Sequence, residues 1–98
     1  MSKVSEMGSQ FLEKASGDPR IGPLHISLYT TLLVLWGKRE NDKPLFLFSR
    51  EVMPLCKIYG TATYNRCIRA LHEWGYIVYE ASYNHFKGSK VALVEAHE

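Results

Sequence analysis

The sequence predicts a small α+β domain, a three-helix core with a short antiparallel sheet, on three observations. Apolar residues recur at helical spacing over residues 24–37 and 61–74. Two runs rich in β-branched and aromatic residues, 76–83 and 91–94, flank a polar, glycine-containing turn at 84–90. A third apolar run, 45–48, is short and lies between the helices. The order reads helix, strand, helix, helix, strand, strand. An isolated hairpin is marginal in water, so the run at 45–48 is expected to join the sheet as a third strand.

Each element has a local cause. In the first helix Ile26, Tyr29, Leu32, Leu33 and Trp36 form the apolar stripe. Pro23 suits its first turn, Lys38 and Arg39 complement its negative end, and Asn41-Asp42-Lys43-Pro44 breaks the chain. Ser49 is expected to cap the next helix, 50–57, with Glu51 in its positively polarised first turn. Pro54 removes one internal hydrogen bond there and predicts a short or kinked helix. After a turn at Tyr59-Gly60, the helix at 61–74 buries Tyr64, Cys67, Ile68 and Leu71, and Gly75 supplies its left-handed stop. Residues 1–22 are expected to be a partly ordered arm outside the domain at 23–98. A further short helix over 4–15 would use Met7, Phe11 and Leu12 as its apolar stripe, ended by Gly17-Asp18-Pro19.

Ninety-eight residues, 46% of them hydrophobic, with six Tyr, four Phe and two Trp, describe one globular domain with a modest core. The net charge of +2 names no partner, but its distribution does more. Over residues 1–22, Lys3, Lys14 and Arg20 are balanced by Glu6, Glu13 and Asp18. Over 49–75, Arg50, Lys57, Arg66 and Arg69 outnumber Glu51 and Glu73, and Lys87 and Lys90 fall in the turn at 84–90 with no acid beside them. The apolar run 28–36 is too short to span a bilayer, no secretion signal is expected, and Cys56 and Cys67 lie among apolar residues, so a reduced, cytoplasmic setting is expected. Cys56, Cys67, His25 and His72 match no compact zinc spacing, and no metal or cofactor is expected. The chain holds no glycine-rich phosphate loop, paired-histidine motif or nucleophile elbow, and it is expected not to be an enzyme.

The stretch Gly60-Thr61-Ala62-Thr63-Tyr64-Asn65-Arg66-Cys67-Ile68-Arg69-Ala70-Leu71, followed by Trp74-Gly75-Tyr76-Ile77, resembles the second half of a winged helix-turn-helix motif. Over residues 24–94 the chain is similar to small bacterial regulators of this class and to small proteins of mobile elements and phages. Pro54 and the modest number of basic residues in the 61–74 helix depart from that pattern. The resemblance implies a winged-helix fold that binds double-stranded DNA, either as a transcription regulator or as an excision or replication accessory factor.

An α-helix fits the major groove of B-DNA with its first turns against the base edges. Thr61, Thr63 and Asn65 are then short polar groups near the groove floor or the flanking phosphates, Arg66 reaches a guanine edge or a phosphate, and Arg69 a phosphate. Lys87 and Lys90, read as a wing tip, meet phosphate or enter the minor groove, and Gly88 tightens that turn. Plainer readings stand beside these: Thr61 or Thr63 as a helix cap, Arg66 and Arg69 as solvated surface charges, Lys87 and Lys90 as solubilising groups. Trp36 and Trp74 read as core residues. Two alternative expectations follow from the low net charge, the aromatic strand at 76–83 and the apolar arm. One is a winged helix that binds a protein partner in a replication or recombination assembly. The other is a homodimer joined through Met7, Phe11 and Leu12.

Overall fold

The computed structural model describes residues 3–38, 45–82 and 88–95. Over these the chain is α+β, with elements in the order α1 (Lys3–Ser16), α2 (Pro23–Gly37), β1 (Leu45–Leu47), α3 (Ser49–Cys56), α4 (Thr61–Glu73), β2 (Ile77–Glu80) and β3 (Ser89–Leu93). From α2 onward this is the expected order, and it is compatible with a winged-helix layout. The three strands form one antiparallel sheet in the order β1-β3-β2. Leu45 pairs with Val91 and Ile77 with Leu93, so the run at 45–48 does join the hairpin strands, on the free side of β3.

The helix α2 is the centre of the core. Leu28, Tyr29, Leu32, Leu33 and Trp36 are buried along it, whereas Ile26, expected in this stripe, faces out. Leu28 takes its place, because positions 28, 32 and 36 repeat at four-residue spacing on one side of the helix. Gly22 occupies the N-cap position with Pro23 in the first turn, and the Gly22 N–H donates to His25 Nδ1 at 3.0 Å. That bond satisfies one of the backbone donors left open where the helix begins.

The N-terminal segment forms the further helix expected over 4–15, but it packs into the domain rather than forming the expected partly ordered arm. It forms the fourteen-residue helix α1 and buries Met7, Phe11 and Ala15 in the shared core. The Phe11 ring stacks on Tyr29 with centroids 3.8 Å apart and meets Tyr76 edge-on at 5.3 Å. The buried stripe therefore runs through Met7, Phe11 and Ala15 at four-residue spacing, and Leu12 is left 57% exposed. With Met7 and Phe11 committed to their own core, the homodimer contact expected from Met7, Phe11 and Leu12 loses two of its three residues.

The turn after α1 is pinned from both sides. Asp18 accepts from Arg20 Nε at 2.8 Å, from Arg20 Nη2 at 2.9 Å and from the Tyr76 hydroxyl at 2.9 Å. Those bonds, Arg20 first, hold the Asp18 carboxyl well below the usual carboxylate range. The Arg20 guanidinium also lies 4.7 Å from the Trp74 ring centroid, so the α1–α2 turn is fastened to the α4–β2 junction.

The helix α3 is eight residues long, as Pro54 predicts. Its cap differs from expectation: Phe48 holds the N-cap position, Ser49 is the first helical residue, and the Phe48 N–H donates to Glu51 Oε1 at 3.1 Å. At the other end Lys57 takes a left-handed conformation (φ 63°), the Ile58 N–H returns to the Met53 carbonyl, and Ser27 Oγ donates to the Cys56 carbonyl at 2.7 Å. Two of the carbonyls that the end of the helix leaves open, those of Met53 and Cys56, are thereby satisfied.

Candidate nucleic-acid interface

The helix α4 divides cleanly into two faces. Tyr64, Cys67, Ile68 and Leu71 are buried, as their spacing predicts. Burial pushes both the Tyr64 hydroxyl and the Cys67 thiol above their ordinary pKa values, in keeping with neutral core groups. Gly75 follows with φ 84°, the expected left-handed stop.

The outward face is a shallow trough of about 390 Å³ lined by Ala62, Asn65, Arg66, Arg69, Ala70 and Glu73. Ala62 and Ala70 contribute only methyl groups to it, which leaves the helix surface open between the longer side chains. Arg66 and Arg69 are exposed along it, one turn apart. Arg66 Nη2 donates to Thr63 Oγ1 at 3.4 Å, which turns the guanidinium back toward the first turn of the helix. Glu73 places one negative charge at the far end.

A second groove of about 430 Å³ runs beside the first, between the start of α3, the first half of α4 and the end of the sheet where β1 meets β3. Ile68 and Val91 form its floor, and Ser49, Arg50, Asn65, Tyr79, Ser82 and Ser89 bring polar atoms to it. Asn65 lines both grooves and joins them into one surface. The Arg50 guanidinium lies 4.1 Å from the Phe48 ring centroid, which holds it at the groove edge.

The expected site residues are thus partly assembled. Thr61, Thr63, Asn65, Arg66 and Arg69 lie on the first three turns of α4, with Thr61 exposed and Thr63 half-buried. The cap role considered for Thr61 or Thr63 is not filled by either: Gly60 holds the N-cap position, and no side chain bonds to it. Lys87 lies outside the described residues, as do His85 and Phe86. Lys90 departs from expectation. It is not at a turn tip but inside β3, where it pairs with Phe46 on one side and Glu80 on the other. Its neighbours Ser89 and Val91 line the groove, so strand alternation puts Lys90 on the opposite face of the sheet. Arg50 is the reverse case: it lies outside the expected site residues and carries positive charge at the groove. No local signal marks it, because its place depends on the start of α3 and the first half of α4 lining one groove.

Gly88 fixes the geometry at this end of the sheet. Its φ is 79°, and a Cβ there would stand 2.8 Å from the Leu47 carbonyl oxygen, so only glycine lets the chain enter β3 against β1. Cys56 and Cys67 are buried and unbridged, and among the described residues no three His, Cys, Asp or Glu side chains gather as a metal would require. Among the same residues no helix is long and apolar enough to cross a membrane. Comparison of the chain with protein-family models, curated proteins and solved structures gives no significant match.

Proposed function

We propose that this chain is a winged-helix protein that binds double-stranded DNA in a sequence-dependent manner, with α4 in the major groove, and serves as a transcription regulator or a mobile-element accessory factor. The observation that carries the reading is the division of α4: four residues anchor it in the core while Asn65, Arg66 and Arg69 stand on one uncovered face. Arg66, turned toward the first turns of the helix, is the candidate for a guanine edge, where a bidentate contact is worth roughly 1–3 kcal/mol of discrimination. Arg69, Arg50, Thr61 and Lys87 are assigned to phosphate. Lys90 is left out of the interface, because it belongs to the far face of the sheet.

The test is binding to duplex DNA over a salt series, with the intact chain compared with the Arg66→Ala/Arg69→Ala double variant. The expected result is salt-sensitive binding whose log–log slope becomes shallower by about 1 in the variant, since the Arg69 phosphate contact contributes about 0.9, while loss of the Arg66 base contact lowers affinity and relaxes sequence preference. Absence of binding at low salt would reject the proposal in favour of the protein-interaction module.

A further inference from the structure

We infer that this chain self-associates about a twofold axis through the face formed by α2 and α3, with Leu55 of each copy seated in the other copy's groove between those helices. The helix α2 carries no Asp, Glu, Lys or Arg over its fifteen residues. A helix that is apolar all round belongs to a setting that buries it all round. Here one side is uncovered: Ile26 is 38% and Val34 47% exposed, with exposed Thr30 between them at four-residue spacing. Beside this stripe α3 presents Leu55, 58% exposed, although it lies in a helix whose Val52 and Cys56 are fully buried.

The shape of the face points to a second copy as its occupant. Thr30, Thr31, Val34, Leu35, Lys38 and Leu55 line a groove of about 250 Å³, so projection and recess lie side by side on one surface. An isologous contact requires that arrangement, because a twofold axis brings each molecule's projection to the other's recess. The charges fit the same solution. Lys38 stands at one rim of the groove, and Glu51, exposed one turn before Leu55, lies on the same side of α3. One charge of each sign lets the rims pair across the axis, whereas a strongly charged partner would meet no matching field. None of the groove residues belongs to the α4 trough or to the groove beside it. The inference therefore stands whether or not the chain binds DNA.

Sedimentation equilibrium of the full chain over a wide concentration range tests it, beside Leu55→Glu and, independently, Thr30→Arg. Both positions are exposed, so both variants keep the monomer fold, with circular dichroism as the check. The expected result is a mass that rises from one chain to two and stops there, with the dissociation constant raised at least tenfold in each variant. A chain that stays monomeric throughout, alone or while retaining a different protein on this face, overturns the inference. So does a dimer that neither variant weakens, or a mass that grows beyond two.

Discussion

The back of α4 and the back of α2 are both exposed, and they differ in chemistry. On α4 the residues that line the open trough are Ala62, Asn65, Arg66, Arg69, Ala70 and Glu73, small side chains edged with guanidinium groups. On α2 the counterparts are Ile26, Thr30 and Val34, joined by Leu55 of α3, with a single lysine at the groove rim. The two helices enter the same core through stripes of the same kind, so burial alone does not separate them. What separates them is the content of the positions that burial leaves free. A face that keeps charge in water attracts a polyanion, and a face that keeps methyl groups in water gains by covering them.

The largest expected effect comes from removing what both faces share. Phe11→Ala deletes the ring stacked on Tyr29 and should lower unfolding free energy by about 3–5 kcal/mol in urea titrations, with DNA binding and self-association failing together. A loss of under about 0.5 kcal/mol, the size normal for a surface position, would mean that α1 is an arm after all. Next in size is Gly88→Ala, which sets a Cβ against the Leu47 carbonyl at positive φ and should cost about 1–3 kcal/mol. Its damage lies where β1 meets β3, beside the α4 groove, so DNA affinity should fall while self-association persists. Equal loss of both would show that the faces are not independent. Smaller again is Leu55→Lys: it should weaken self-association yet raise DNA affinity by less than twofold, since its charge stands away from α4. A large gain in DNA affinity would place DNA on the α2–α3 face.

The smallest effect is one of pH. His25 accepts the Gly22 N–H through Nδ1 and packs 5.1 Å from the Trp74 ring, and burial lowers its pKa below the ordinary 6.5 despite the opposing field of Asp18. The fold prefers the neutral ring. Its contribution is therefore complete above pH 6.5 and is lost as pH falls through the lowered value in the native state. Asp18 adds a second loss at still lower pH, below the ordinary carboxylate range, because its pKa is also depressed. His25→Gln should flatten the upper of these two limbs in thermal melts and leave the lower one. An unchanged profile would remove His25 from the account.

Where periodicity was strong, the fold was legible. The core face of α4 and the pairing of residues 45–47 with the hairpin followed from spacing and from the weakness of a lone hairpin. The role of α1 was not legible for a specific reason: Ala15 completes its buried stripe, and alanine is too small to stand out, whereas the larger Leu12 stood out and faces solvent. Ile26 misled in the same way within a helix where almost every residue is apolar, so that periodicity offered no contrast. Lys90 reads as part of the seven-residue turn 84–90, but the chain enters β3 at Ser89, and one step of strand alternation then decides its face. Arg50 was hidden because its importance depends on two helices converging, which no local pattern encodes.

The most direct measurement is a map of backbone amide shifts as a short duplex is added to the isotope-labelled chain at low salt. The largest changes are expected over residues 61–69 and at Arg50, with Thr30, Val34 and Leu55 unmoved. Shifts gathered on α2 and α3, or no shifts at an excess of duplex, would contradict it.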